Sequence, residues 1–199
     1  MKKAIIPIII IVALIFGLFS WAKGINNTAV TLNQSVEKTW GDVQTSYQRR
    51  NDLIGNLVNT VKGAADFEKS TLEGVIKARS EATKTVIDPS NITAEQLAEF
   101  NKAQSGVSSA LSRLLVNVER YPDLKANQNF LKLQDELAST ENTIQTARVR
   151  FNESVMSYNN HIKIFPNNLF AGMFGFKEKA YFNAVEGAEN PVDVNFSFD

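Results

Sequence analysis

The sequence predicts an all-α protein: an N-terminal transmembrane helix, then an antiparallel four-helix bundle of long, coiled-coil-like helices, then an extended C-terminal tail. Three observations carry this expectation. Residues 4–22 are 19 consecutive residues without a charge. Apolar residues then recur at threes and fours from position 29 to position 165, the period of a helix with one buried face. No strand-like alternation occurs before residue 190. The expected divisions are an anchor at 1–23, a bundle at 24–165 with helices at about 25–65, 66–87, 93–121 and 126–165, and a Phe-rich tail at 166–199 with a terminal strand-like segment.

The anchor comes first. As a helix, AIIPIIIIVALIFGLFSWA would span about 28 Å, the thickness of a hydrocarbon core. Ala4, Ile8, Val12 and Phe16 mark its length, Trp21 supplies an aromatic belt residue, and Lys2, Lys3 and Lys23 charge its two ends. A cleaved signal peptide is the rival, because Ser20-Trp21-Ala22 fits a small-x-small site. The apolar run is longer than a signal core and a bulky Trp abuts the site, so an uncleaved anchor is preferred. Lys2, Lys3 and the amino terminus outweigh Lys23 and Lys38 behind the span, which favours a single pass through the cell membrane with residues 24–199 extracytoplasmic.

The first bundle helix has a seam at Ala29, Leu32, Val36, Trp40, Val43, Tyr47, Ile54, Leu57, Val61 and Ala64, and without an intervening proline it can continue the anchor. Gly63-Ala64-Ala65-Asp66 is a plausible break. Leu72, Val75, Ile76 and Ala82 form the second helix, stopped by Asp88-Pro89-Ser90-Asn91. Thr93 opens the third, with Gln96 at capping-box spacing, and its seam is Leu97, Phe100, Gln104, Val107, Leu111, Leu114, Val118 and Tyr121. After the Pro122-Asp123 corner, the fourth seam runs through Phe130, Leu133, Leu137, Thr140, Ile144, Ala147, Phe151, Val155, Tyr158, Ile162 and Phe165.

Several strings on these helices carry a resemblance. YQRRNDLIGNLVNTVKG at 47–63, YPDLKAN at 121–127, Thr140-Glu141-Asn142, Ala147-Arg148, Phe151-Asn152, Tyr158-Asn159 and Phe165-Pro166 follow the pattern of the bacterial LemA family over residues 36–176. The chain is therefore similar to LemA-family proteins. The resemblance implies a short N-terminal tail, one transmembrane helix and a helical domain, with no enzymatic activity established. A family member associated with building the magnetosome membrane adds an expectation of membrane shaping.

Composition excludes much chemistry. No cysteine is present, which removes disulfides, thiol nucleophiles, cysteine metal sites and lipoprotein acylation. Three of the 21 positive charges precede residue 24 and no negative one does, so the remainder is mildly acidic and nucleic-acid binding is not expected. His161 is the only histidine, and its expected place is a surface or half-buried turn rather than a triad or zinc site. Phosphate-binding glycine motifs do not occur. We expect no catalytic residue, no cofactor, no metal and no enzyme.

Two features stand apart. Arg50 occupies a seam position where leucine would be expected, and Thr140-Glu141 is the polar gap of the fourth seam. Arg50, Glu141 and Arg148 can therefore form a buried polar network that sets register, unless Arg50 snorkels outward along its stem. Seven of the 13 phenylalanines lie in the last 35 residues, six of them in the tail. Exposed apolar groups in that number call for a lid on the bundle, a membrane interface or a partner subunit. Phe170, Phe174 and Phe176, with Val192, Val194, Phe196 and Phe198 of an alternating strand-like run, are the expected assembly contacts.

The leading functional expectation is a membrane-anchored, non-enzymatic scaffold that forms a homo-oligomer and organises or shapes membrane lipid. The rival is a monomeric, membrane-tethered adaptor or sensor that binds a separate protein through the Phe-rich tail.

Overall fold

The computed structural model describes residues 2–63 and 67–183, with side chains from residue 7 onward. Among the described residues every regular element is a helix: α1 Lys2–Lys62, α2 Lys69–Lys84, α3 Ala94–Val118, α4 Pro122–Lys125, α5 Gln128–Lys163 and α6 Asn167–Met173. Val192, Val194, Phe196 and Phe198, and with them the expected strand, lie outside the described residues.

The 61 residues of α1 make one helix about 90 Å long. Its character changes along its length without a break. Ile8, Val12, Phe16 and the other large apolar side chains between positions 8 and 19 are all exposed, and Trp21 is 43% exposed. Burial begins at Ile25 and then follows the seam, through Ala29, Val36, Trp40, Val43 and Tyr47 to Ile54, Leu57 and Val61. The N-terminal part is long and apolar enough to cross a membrane.

Local chemistry sets the other helix starts. Thr93 Oγ1 accepts the Gln96 N–H at 3.3 Å while Gln96 Oε1 accepts the Thr93 N–H at 3.0 Å, so two free donors at the head of α3 are satisfied reciprocally. Pro122 opens the single turn of α4, where its missing N–H costs nothing. Asn127 caps α5, its Oδ1 accepting from the Asn129 and Phe130 N–H groups at 2.9 and 3.2 Å.

Two apolar clusters fill the body. The one nearer the exposed apolar part of α1 joins Trp40, Val43 and Tyr47 of α1 to Phe100 of α3 and Phe151, Val155 and Tyr158 of α5. The distal one joins Ile54, Leu57 and Val61 to Leu72 and Val75 of α2, Leu114 of α3 and Phe130 of α5. Contacts tie α1 to α5 at three levels: the Ile25 carbonyl to His161, Thr39 to Ser154 and Arg50 to Glu141. Gly55 lets α2 come close, since a Cβ there would meet the Arg79 guanidinium at 3.2 Å.

Two expectations are corrected. Phe165 does not complete the α5 seam, because the helix ends at Lys163 and the extended backbone at Ile164 turns the next side chain outward, leaving Phe165 80% exposed. The region after 165 is not extended throughout. Asn167–Met173 form α6, and its Ala171 is buried while Phe170 meets Trp21 edge-on at 5.4 Å. An apolar run this short carries no readable period, and its helix is held by packing on α1 and α5.

Candidate functional site

Between the two apolar clusters lies a layer of buried polar side chains: Arg50 and Asn51 from α1, Gln104 from α3 and Thr140 from α5. Arg50 is 3% exposed and is the centre of the layer. Its guanidinium donates to Gln104 Oε1 and, at 3.3 Å, to Glu141 Oε2, and its Cζ sits 4.9 Å from the Tyr47 ring centroid. Glu141 reaches in from a largely exposed position. An arginine with so little access to water requires such partners, because an uncompensated buried charge is costly.

Arg148 lies beside this pair rather than between its members. It stacks over the Phe182 ring at 4.5 Å and donates to the Asn183 carbonyl at 3.5 Å. Burial pushes the Tyr47 hydroxyl above its ordinary pKa, with Arg148 and Arg50 pulling the other way and Glu141 adding to the rise. These groups open onto a groove of about 700 Å³ in the side of the body, walled by Ser105, Ser108 and Asn101 of α3. The groove offers charged and neutral hydrogen-bonding groups to a polar ligand. His161 is held elsewhere, by the Ile25 carbonyl at 3.0 Å and by Asn167.

The chain beyond α6 is held by side-chain amides of α5. Asn159 Nδ2 donates to the Lys179 carbonyl at 2.8 Å, and the Lys179 N–H donates to Asn159 Oδ1 at 3.0 Å. Asn152 repeats the pattern with Phe182, at 3.0 and 2.9 Å. Tyr158 donates its hydroxyl to the Lys177 carbonyl at 2.9 Å, and the Ala180 N–H donates to the Ile92 carbonyl at 3.2 Å. Each asparagine thus does for this segment what a neighbouring strand would do. Lys179 is itself buried, and its ammonium donates to the Pro89 and Ser90 carbonyls at 2.8 and 2.9 Å. Burial lowers its pKa, and Glu37 and Asp88 partly restore it.

The tail phenylalanines therefore divide. Phe182 is 6% exposed and touches Trp40, Phe100 and Phe151, with ring centroids 5.8, 6.3 and 5.4 Å away. Phe176 packs against the same cluster. Phe174 remains exposed and Phe170 rests on Trp21. Sequence reasoning missed Gln104 as a partner of Arg50, gave Asn152 and Asn159 no role beyond the family pattern, and passed over Lys179. A signal was present: Phe151-Asn152 and Tyr158-Asn159 are aromatic-Asn pairs seven residues apart. In both, the aromatic ring enters the core and the next residue grips the tail.

The class these features define is an all-helical chain with one N-terminal helix long and apolar enough to cross a membrane. The chain belongs to the LemA family, whose sequence model matches residues 39–196. It is similar to magnetosome protein MamQ 2 of Paramagnetospirillum magneticum, at 27% identity over 183 residues covering 83% of this chain and 67% of that protein. MamQ of Magnetospirillum gryphiswaldense is 26% identical with the same coverage. Protein LemA of Metamycoplasma hominis is 24% identical over 183 residues, covering 92% of this chain and 80% of that protein.

Proposed function

We propose that this protein is a membrane-associated, non-enzymatic scaffold that organises or shapes membrane by assembling with copies of itself. The observation that carries this reading is the continuity of α1, whose exposed apolar part leads into the buried seam without a loop. A helix of that kind holds its body at a fixed place above a bilayer, as a structural element of a membrane coat must be held. Similarity to proteins named as magnetosome proteins supports the same direction.

The body is inferred to be an antiparallel bundle. The order of the α1–α5 contacts, Ile25 with His161, Thr39 with Ser154 and Arg50 with Glu141, supports opposite directions for the two long helices. Residues 24–199 are assigned to the extracytoplasmic side because Lys2, Lys3 and the amino terminus together exceed the positive charge of Lys23 and Lys38 behind the span.

The adaptor reading draws on one observation of its own, the polar groove beside Arg50 and Arg148. It no longer draws on the whole Phe-rich tail, since Phe176 and Phe182 are committed to the core. Sizing of the detergent-extracted full chain separates the two. A discrete particle much larger than one subunit supports the scaffold, and a monomer overturns it in favour of the adaptor. Adding the chain to vesicles and imaging their outlines tests membrane shaping directly.

A further inference from the structure

The foot of the body carries an apolar surface that the bundle leaves uncovered. Thirteen residues, 164–176, contain no charge. Ile164, Phe165, Leu169, Met173 and Phe174 are exposed, Phe165 at 80% and Met173 at 76%. They do not form a patch in an arbitrary place. Phe170, on α6, touches Trp21, the aromatic residue at the end of the candidate span, and Asn167 joins α6 to His161, whose Nε2 donates to the Ile25 carbonyl of α1. Leu169 and Met173 are four apart and so share one face of α6, while Ala171 is buried on the other. The exposed face is thus continuous with the exposed apolar surface of α1 at the level where α1 leaves the membrane. Lys163 and Lys177 bound the uncharged run on both sides.

We propose that α6 and its flanking residues form an interfacial foot, with Phe165, Leu169, Met173 and Phe174 inserted among the acyl chains and headgroups of the bilayer that α1 crosses. Apolar and aromatic side chains favour this depth, where a short helix can lie in the plane and Lys177 beside it can reach the phosphates, while Lys163 is paired with Glu178. A second copy is the other possible occupant, but the contact of Phe170 with Trp21 places the patch beside lipid rather than on the flank of the body, where a neighbouring subunit would lie. This inference rests on the membrane anchorage proposed above. It adds a second site of attachment, so that the body is held at two points and not only by its span.

The full chain lacks cysteine, so single cysteines report position cleanly. We would place one at Val12, Leu169, Met173 or Val116, attach a polarity-sensitive fluorophore, and reconstitute each variant into phosphatidylcholine–phosphatidylglycerol vesicles with and without brominated acyl chains. All four sites are exposed, so the labels need not disturb packing. The expected result is a blue shift and loss of emission in brominated lipid for labels at 12, 169 and 173, and neither for the label at 116. Quenching of the 169 and 173 labels by aqueous iodide, with the Val12 label quenched by lipid, overturns the foot and leaves the anchor standing. Protection of those labels from both quenchers assigns the patch to a second copy and also overturns it. A Val12 label untouched by lipid overturns anchor and foot together.

Discussion

Asn159 grips the main chain of Lys179 with both ends of its amide, and Asn152 does the same to Phe182. The two spacings match: seven residues of helix advance about 10 Å, and so do three residues of extended chain. One face of α5 therefore presents amides at the repeat of a strand, and a segment that would otherwise leave its polar groups unpaired is fastened lengthwise along a helix.

Asn159→Ala removes two hydrogen bonds and strands buried main-chain groups of Lys179. We expect a loss of about 1 to 3 kcal/mol in denaturant unfolding of the detergent-solubilised chain. Amide exchange at Lys179 and Phe182 should accelerate while exchange in the middle of α5 does not. Unaltered exchange at both amides would refute the clasp.

Phe151→Ala and Phe182→Ala should each cost about 3 to 5 kcal/mol through lost burial and the cavity left behind. Their rings touch with centroids 5.4 Å apart, so the double variant should lose less than the two single losses combined. A cost under about 1 kcal/mol for Phe182→Ala would mean that the tail is not part of the core.

Gln104→Leu leaves Arg50 buried with one fewer partner and should destabilise by about 1 to 3 kcal/mol. Arg50→Leu together with Gln104→Leu removes the buried charge along with its amide partner and should recover most of that loss. Thermal unfolding of the two variants decides it: a double variant less stable than Gln104→Leu would show that the layer holds the fold together rather than setting its register.

Lys179 has its folded pKa lowered by burial. Between that value and the ordinary lysine value the folded chain binds fewer protons than the unfolded one, so its stability rises with pH across that window and is flat below it. Unfolding of the native chain and of Lys179→Met, followed from neutral into alkaline pH, should show the native chain gaining on the variant. A difference that stays constant with pH would refute the perturbed lysine.

The long seams were legible because α1, α3 and α5 repeat one period over many turns, and the anchor because nothing else leaves 19 residues uncharged. Arg50 was visible as an interruption of a seam. Its partner Gln104 was not, since a glutamine at a seam position looks the same whether it meets an arginine or water. α4 and α6 are too short to show a period. The division of the phenylalanines was hidden for a related reason. Phe174, Phe176 and Phe182 sit in similar local sequence, and the asparagine that holds Phe182 in place, Asn152, lies 30 positions earlier on another element.

The unbroken course of α1 makes it a lever. From the end of the span to Lys62 is about 60 Å of helix. A bilayer that thins or thickens changes the tilt of a span that crosses it. With no joint between span and body, a change of about 10° would sweep the distal end sideways by on the order of 10 Å. If the apolar part of α1 crosses the bilayer as proposed, bilayer thickness would thereby be converted into the position of a surface far outside the membrane.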